Sequence, residues 1–504
     1  MRIPLLAFLS AASLLFFSAI AYSSVHIWLW WRTGTGAAPA ACSAALVALL
    51  LWWLHWSMCG FVDSDILLFK PSSKRSAFDP ALLQTQTTTA KLPVFKVNLD
   101  LPPKRRWEHI IEQLVKRGEA ERMKAVIVFQ MVELFGRAGG IALSLVMKVL
   151  LTAHARFCMP AYFREELLGI AELTAPRGLT YFDLLTLNYG GDFAANCTSG
   201  VVNAQAECCA GPVHLRNMDW FPQEDFRRLC VQVDVYQGQQ LLYSSTSWLF
   251  IVGSYTVMRR GGELKGAYSI SMNFRLRDEG VHCNVLSMLG VQAAWPQALL
   301  VRDCAQSTVG FHRAVKRMCD TKLIAPCYFI MAGCGAEDGV VVERTRTGTD
   351  NIDWLRPCNR ESASAAAAAQ VVDEAEEMQR FVLVTNCDLR CRSLKLSWTH
   401  DDPLLMNALL RRQAARELFN HYFMRCLHLK EGDLNGVVEG ACDVLCTAPL
   451  NNYQTVFGVV MIPRHDVMQS CSWPVSADSR KWDKRLDGGA YSDQDLLAMH
   501  VVRD

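Results

Sequence analysis

Several features that would assign a function at once are missing from this sequence. Its 504 residues carry 51 Lys and Arg against 49 Asp and Glu, so no excess of basic charge indicates a nucleic acid as partner. No Cys-x-x-Cys pair occurs among the 19 cysteines, so neither a disulfide framework nor a zinc ribbon is indicated. No His-Glu-x-x-His motif is present either. We therefore expect neither a metal nor another cofactor.

Two groups of metal-ligating residue types have a simpler interpretation. Cys442 and Cys446 are four residues apart in a predicted helix, but no matching pair of histidines accompanies them. His421, Cys426 and His428 share a second helical stretch. Buried cysteines commonly act as small hydrophobic residues, and we interpret both groups as partly buried packing residues.

The first 62 residues are almost without charge. Only Arg2 and Arg32 are charged there, and they delimit apolar runs at residues 3–31 and 34–62. Each run exceeds the roughly 20 apolar residues that cross a bilayer, so residues 1–62 predict a membrane anchor of one or two spans. The alternative is a cleaved signal peptide, with small residues at Ala19 and Ala21. A signal peptide alone does not account for the second run.

In the rest of the chain, the composition and the spacing of apolar residues change twice. Residues 63–95 are rich in Ser, Lys, Pro and Thr and predict a linker. Apolar residues then recur at helical spacing up to about residue 187, which predicts a helical region over 96–196. Strand patterns follow at 231–236, 240–245, 268–274, 340–343 and 381–385, and helical patterns at 309–318, 404–424 and 434–445. We interpret residues 362–378 as a neutral insertion. Antiparallel strands bracketed by helices favour a layered α+β fold.

The most informative residues lie in two short segments. Residues 196–200 read Asn-Cys-Thr-Ser-Gly and residues 216–220 read Arg-Asn-Met-Asp-Trp, as two strands of a hairpin would present them. A thiol beside a guanidinium is shifted toward its reactive thiolate, so Cys197 and Arg216 predict a nucleophilic site. Strand alternation places Arg216 and Asp219 on opposite faces, so a bulge or the end of the strand is expected between them.

These segments resemble the acid ceramidase and N-acylethanolamine acid amidase family, N-terminal-nucleophile amidases of the cholylglycine hydrolase group. A third matching segment is Val-Thr-Asn at residues 384–386. Further similar stretches, in the same order, are residues 97–107, 165–188, 268–273 and 323–330. The resemblance extends from about Phe95 to about Pro463.

The resemblance implies a fold, a processing step and a location. The fold would be the αββα sandwich of N-terminal-nucleophile hydrolases. Autocleavage between Asn196 and Cys197 would separate a helical α-subunit region, residues 96–196, from a catalytic β-subunit region, residues 197–504. An acidic, lysosome-like lumen is implied, although Lys70, Lys74 and Arg75 would place the catalytic part in the cytosol by the positive-inside rule. We follow the resemblance. A lipid-presenting activator is left open.

The chemistry of amide hydrolysis gives each matched residue a role. Cleavage would give Cys197 a free α-amine with a pKa of about 7.7 to 8.0, which suits a general base after modest depression. Arg216 would stabilise the thiolate, and Asp219 would orient the amine. Asn386 would donate its NH2 to the oxyanion, and Asn273 is a further candidate for an oxyanion or substrate contact.

The sequence departs from the family where a second site arginine is expected. The family has Asp-Asp-Arg-Arg after the strand that bears the asparagine, whereas residues 401–404 read Asp-Asp-Pro-Leu, with Arg411 and Arg412 further on. Either another cation replaces that arginine or its contact is lost. The family run Asn-Tyr-Asp-His-Trp is reduced here to Asn-Cys-Asp at 386–388.

An acyl chain would need an apolar groove near the nucleophile. The candidates for its lining, each of which is also a candidate core residue, are Trp220, Phe221, Trp248, Phe250 and Met258. The first hypothesis for function is a membrane-anchored ceramide amidase with a lipid substrate. The alternatives are an amidase of N-acylethanolamines or other N-acyl compounds, and a non-catalytic membrane scaffold that keeps the fold.

Overall fold

The computed structural model describes ten segments of the chain. They are residues 90–190, 196–204, 211–220, 223–261, 266–276, 282–289, 294–356, 380–388, 403–452 and 454–472. Apart from His282, these residues belong to one compact unit, and the other unit comprises residues 1–65 and 280–282.

The described strands and helices follow one another in an α+β order. The strands are β1 (Ala90–Lys91), β2 (Val94–Asn98), β3 (Asn196–Asn203), β4 (Pro212–Asp219), β5 (Cys230–Gln237), β6 (Gln240–Trp248), β7 (Thr256–Arg259), β8 (Tyr268–Phe274), β9 (Cys327–Ala332), β10 (Gly339–Arg344), β11 (Thr349–Trp354), β12 (Phe381–Val384), β13 (Thr455–Ile462) and β14 (Val467–Ser472). The helices are α1 (Glu108–Lys116), α2 (Glu119–Phe157), α3 (Ala161–Thr174), α4 (Tyr181–Tyr189), α5 (Gln223–Arg228), α6 (His282–Leu289), α7 (Gln297–Ser307), α8 (Phe311–Asp320), α9 (Pro403–Leu427) and α10 (Leu434–Cys446).

The strands form two sheets that pack face to face between helices. One sheet has the order β1-β14-β13-β4-β3-β12 and the other β11-β10-β9-β8-β7-β6-β5-β2. Val201 of the first sheet packs with Ile330 and Val341 of the second. Helices α9 and α10 cover the outer face of the six-stranded sheet, where Phe419 and Val437 are buried. The arrangement is an αββα sandwich.

Burial patterns explain why particular segments form their elements. In α8 the buried residues Phe311, Ala314, Val315 and Met318 recur at helical spacing and turn one apolar stripe toward the core. All eight residues of β13 are buried, as expected for a central strand that is covered on both faces. Each fully buried Val, Leu, Ile or Phe side chain stabilises the fold by about 1.5 to 3 kcal/mol.

The part of the chain before Cys197 belongs to the sandwich. Strand β1 pairs with β14 at the edge of one sheet, and β2 pairs in parallel with β5 at the edge of the other. Glu166 of α3 is fully buried and accepts two hydrogen bonds from Arg302 of α7, at 2.6 and 2.8 Å, and one from Arg106 at 2.9 Å. Removing one partner from a buried ion pair costs about 3 to 5 kcal/mol. The two regions are therefore joined by hydrogen bonds and charge as well as by apolar packing.

Of the predicted anchor and linker, the structure describes only residues 90–95. Within the described parts of the chain, no helix combines the length and apolar character that a bilayer crossing requires. The fold predicted from the sequence, a sandwich preceded by transmembrane segments, is therefore corrected, for the described residues, to the sandwich alone. The anchor placed in residues 1–62 lies outside the described residues. Strand β1 and the start of β2 fall within the predicted linker, residues 63–95.

Candidate active site

Cys197 is the second residue of β3 and lies between the two sheets. Its Cα pairs with that of Met218 in the antiparallel β4, and Ser199 pairs with Arg216. The Sγ atom is 3.3 Å from the Arg216 Nη2 and 3.3 Å from the Met218 Sδ. The hairpin predicted from the sequence thus brings the thiol and the guanidinium together.

A glycine lets this hairpin pack closely. A Cβ atom at Gly200 would lie 2.4 Å from the Phe419 ring and 2.7 Å from the Val382 carbonyl oxygen. Only glycine fits where β3 passes between α9 and β12. This close approach also brings side chains of α9 against the backbone of β3.

Asp219 is the last residue of β4 and lies on the side opposite the thiol. Its carboxylate accepts hydrogen bonds from the Thr455 hydroxyl at 2.7 Å and the Asn452 amide at 3.1 Å. The pairing of β4 with β13 changes register at this point. Because strand alternation separates Asp219 from Arg216, the two charged groups approach the Cys197 residue from different faces of the sheet.

Asn386 contacts the backbone of the nucleophile. Its Oδ1 accepts the Cys197 N–H at 3.0 Å and an Arg411 N–H at 2.8 Å, and its Nδ2 donates to the Phe274 carbonyl at 2.8 Å. Both neighbours of Oδ1 are donors, which fixes the orientation of the amide. These contacts place the Asn386 oxygen against the nitrogen of Cys197. The predicted role of Asn386 as an oxyanion donor stays a prediction.

The side-chain amide of Asn273 forms hydrogen bonds with other side chains and with backbone carbonyl groups. Its Oδ1 accepts from the Ser199 hydroxyl at 2.8 Å and lies 3.3 Å from the Arg216 Nη1. Its Nδ2 donates to the carbonyls of Val384 and Thr385. Asn273 therefore positions Arg216 and ties β8 to the strand before Asn386, and it does not present a free donor to an oxyanion.

Arg411 is the residue that the sequence left unassigned. It lies in α9, donates from Nη1 to the Cys197 carbonyl at 2.6 Å and to the Thr198 hydroxyl at 2.9 Å, and from Nη2 to Asn386. Its Nη1 is 3.7 Å from the Asp219 carboxylate. A second cation thus reaches the site from a helix, whereas Arg216 lies in strand β4. The Arg-Arg pair at 411–412 was the available signal, but spacing alone could not place it.

Burial dominates the electrostatics of this site. The side chains of Cys197, Arg216, Asp219, Asn386 and Arg411 are at most 1% exposed. Burial raises the pKa of the Cys197 thiol, and the nearby arginines act in the opposite direction. Burial also raises the pKa of Asp219, offset by Arg411 and by its hydrogen bonds. Cys197 is therefore an enclosed thiol in this structure.

His214 lies two residues before Arg216 and is also enclosed. Its ring nitrogens are 2.8 and 2.9 Å from the hydroxyls of Ser269 and Ser271. Burial, with a smaller contribution from Arg216, lowers the pKa of His214 to about 3. The imidazole therefore remains neutral in a mildly acidic compartment and adds no charge beside Arg216.

This neutral histidine makes stability depend on pH. Its native pKa of about 3 is below the ordinary 6.5, so between these values the unfolded chain binds a proton that the native chain does not, and stability falls as pH falls. From pH 7 to pH 5 this group should cost about 2 kcal/mol of unfolding free energy. Urea unfolding on an uncut Cys197→Ala background should show that His214→Gln removes about this much of the pH dependence. An identical pH dependence in both proteins would contradict this assignment.

The predicted groove residues divide into three groups. Trp248, Phe250 and Met258 are at most 1% exposed and belong to the core. Trp220 is only partly buried, and its ring centroid is 5.2 Å from that of Trp248. Phe221 lies outside the described residues. Only Trp220 is thus placed beside the site and partly open.

Comparison with known proteins agrees with the residue matches. Acid ceramidase of Mus musculus is 24% identical over 428 residues, which cover 82% of this chain and 94% of the mouse protein. Acid ceramidase of Macaca fascicularis is 27% identical over 402 residues, which cover 76% and 86%. The chain is thus similar to acid ceramidases over most of its length. No family model matches the sequence of this chain.

One solved structure is also similar to this chain. It is a Caenorhabditis elegans N-acylethanolamine-hydrolyzing acid amidase ortholog, 24% identical, which covers 57% of this chain and 97% of its own, with a TM-score of 0.38.

Proposed function

We propose that the chain is a self-processing amidohydrolase that cleaves its own Asn196–Cys197 bond and then hydrolyses the amide of ceramide to a sphingoid base and a fatty acid. The enzyme class, a hydrolase of linear amide bonds, is that of its ceramidase and amidase relatives. The proposal rests on the contacts of the Cys197 nitrogen and thiol. The nitrogen is already held by Asn386 while the thiol of the same residue lies 3.3 Å from Arg216.

Self-cleavage needs only groups that the site contains, together with water. The Cys197 sulfur would attack the carbonyl carbon of Asn196, and the C–N bond would break as the nitrogen takes up a proton. Water would then hydrolyse the resulting thioester and leave a carboxylate on Asn196 and a free thiol on Cys197. The new α-amine would remain against Asn386, where it can accept the thiol proton.

The same groups would then act on the lipid. The thiolate attacks the amide carbon of the substrate, the sphingoid amine leaves with a proton from the Cys197 amine, and water releases the fatty acid from the thioester. Arg216 would stabilise the thiolate, and Arg411 with Asp219 would hold the backbone of Cys197 in place. Because these side chains are enclosed in the uncut chain, we infer that cleavage precedes lipid binding.

We place this activity in an acidic lumen. One observation supports that setting: the relatives are named acid ceramidases.

The substrate is tested with the full-length protein. After incubation at acidic pH, the cleaved enzyme is offered a ceramide and an N-acylethanolamine with the same acyl chain, and the released fatty acid is measured by mass spectrometry. We expect the ceramide to be hydrolysed at least about tenfold faster in kcat/KM, which is about 1.4 kcal/mol of transition-state discrimination. The Cys197→Ala variant provides the background rate.

The alternatives give different results in the same assay. Faster hydrolysis of the N-acylethanolamine would replace ceramide with that lipid class as the substrate. Absence of hydrolysis of either lipid, in a protein that does cleave itself, would exclude both substrates. A protein that neither cleaves itself nor hydrolyses lipid would match the scaffold hypothesis.

A further inference from the structure

The loop between β6 and β7, residues 249–255, is held by an asparagine from the other side of the cleavage point. Asn188 of α4 is 1% exposed, and its Oδ1 accepts the N–H groups of Val252 at 2.8 Å and Gly253 at 3.2 Å. Its Nδ2 donates to the Phe250 carbonyl at 3.2 Å. One amide side chain therefore binds three backbone groups of this loop.

The loop adopts a conformation that it would not favour by itself. Phe250 has φ 69°, one of two positive values at non-glycine residues in the described chain. This left-handed conformation costs about 1 to 2 kcal/mol for an L-residue. The carbonyl of this same residue is bound by Asn188, so the asparagine stabilises the strained conformation directly.

A second connection supports the loop from the same region. Arg302 donates from Nη1 to the Val252 carbonyl at 2.9 Å and to Glu166 at 2.6 Å. Glu166, like Asn188, precedes the cleavage point. Two buried polar side chains of the N-terminal region thus determine where the backbone around Val252 lies.

Buried aromatic residues at the two ends of this loop pack against Trp220. Trp248 precedes the loop and Tyr255 ends it, and their ring centroids are 5.2 and 6.1 Å from that of Trp220. Trp220 directly follows Asp219. A displacement of the loop would therefore displace the ring of Trp220, which lies beside the proposed catalytic residues.

We propose that Asn188 is a positioning residue for the lipid substrate. It fixes the loop at residues 249–255 and, through the buried rings of Trp248 and Tyr255, the partly exposed ring of Trp220, which contacts the hydrocarbon chain. The inference rests on the proposed amidase function. It assigns part of the substrate specificity to the N-terminal region, which contains no residue of the catalytic set. After cleavage, one fragment would shape the surface on which the other binds its substrate.

The test compares Asn188→Leu, Asn188→Asp and a control on the same helix. Leucine has a similar volume and cannot form any of the hydrogen bonds, whereas aspartate retains the acceptors for Val252 and Gly253. Thr186→Ala is the matched control, because the Thr186 hydroxyl bonds only within α4, to the Phe182 carbonyl at 3.0 Å. Self-cleavage, kcat and KM are measured for ceramides with a long and a two-carbon acyl chain.

We expect Asn188→Leu to cleave itself like the wild type and to raise KM for the long-chain ceramide about tenfold, with kcat within about twofold. The two-carbon substrate should change by less than about threefold, Asn188→Asp should be intermediate, and Thr186→Ala should match the wild type. Equal loss for both substrates would indicate a merely structural role and overturn the inference, as would failure of both Asn188 variants to cleave. Wild-type kinetics in Asn188→Leu would overturn it as well. A wild-type enzyme without amidase activity would overturn the proposed function and this inference with it.

Discussion

Replacing Cys197 with alanine is expected to leave a single band near 56.4 kDa at every pH, whereas the wild type gives two fragments after acidification. The variant loses the sulfur that is proposed to attack the Asn196 carbonyl, so the cleavage step has no nucleophile. Amide hydrolysis should fall about a thousandfold or more, because both the nucleophile and the amine that would serve as its base are lost. Denaturing gel electrophoresis and the fatty-acid assay measure the two effects.

Two further variants make this experiment specific. Cys304→Ala removes an equally buried thiol in α7 and should cleave and hydrolyse like the wild type. Cys197→Ser keeps a weaker nucleophile in place and should cleave slowly. The proposed mechanism is wrong if Cys197→Ala yields the same two fragments as the wild type.

Arg411→Gln should have the second largest effect, lowering both self-cleavage and lipid hydrolysis about a hundredfold. The arginine holds the Cys197 carbonyl, the Thr198 hydroxyl and the Asn386 oxygen at once. Its loss frees the acceptor that holds the Cys197 nitrogen and removes the charge that most strongly opposes the effect of burial on the pKa of Asp219. Single-turnover cleavage of the precursor and steady-state hydrolysis report the two rates.

The neighbouring arginine provides the control for this prediction. Arg412→Gln removes the same charge from the same helix, but its described contact is with the Asp388 carbonyl at 3.3 Å, and we expect a change below about threefold. Arg411→Lys should be intermediate, because one ammonium cannot reach all the acceptors that a guanidinium fork serves. Equal losses in Arg411→Gln and Arg412→Gln would show that overall charge matters and not the contacts of Arg411.

The sequence predicted the parts of the site that are local in the chain. Cys197 and Arg216 are 19 residues apart in one hairpin, so motif and strand alternation together placed them correctly relative to each other. The strand predicted at 268–274 coincides with β8. These features depend on short-range pairing and on side-chain period, and both can be read from residue types.

The contacts that the sequence could not give come from elements distant in the chain. Arg411 reaches Cys197 because α9 packs on the six-stranded sheet, and helical periodicity does not state which sheet a helix covers. The orientation of the Asn386 amide depends in turn on Arg411, so its predicted role as oxyanion donor could not be tested without that residue. The parallel pairing of β2 with β5 has no local turn or motif that announces it.

The parallel pairing of β2 with β5 limits how this protein can be made. A chain that started at Cys197 would have no neighbour for β5 at the sheet edge and no carboxylate for the buried Arg302. The N-terminal region thus supplies a strand and a buried carboxylate that stabilise the fold of the catalytic region. If the Asn196–Cys197 bond is cut as proposed, this strand order favours a cut made only after both sheets have assembled.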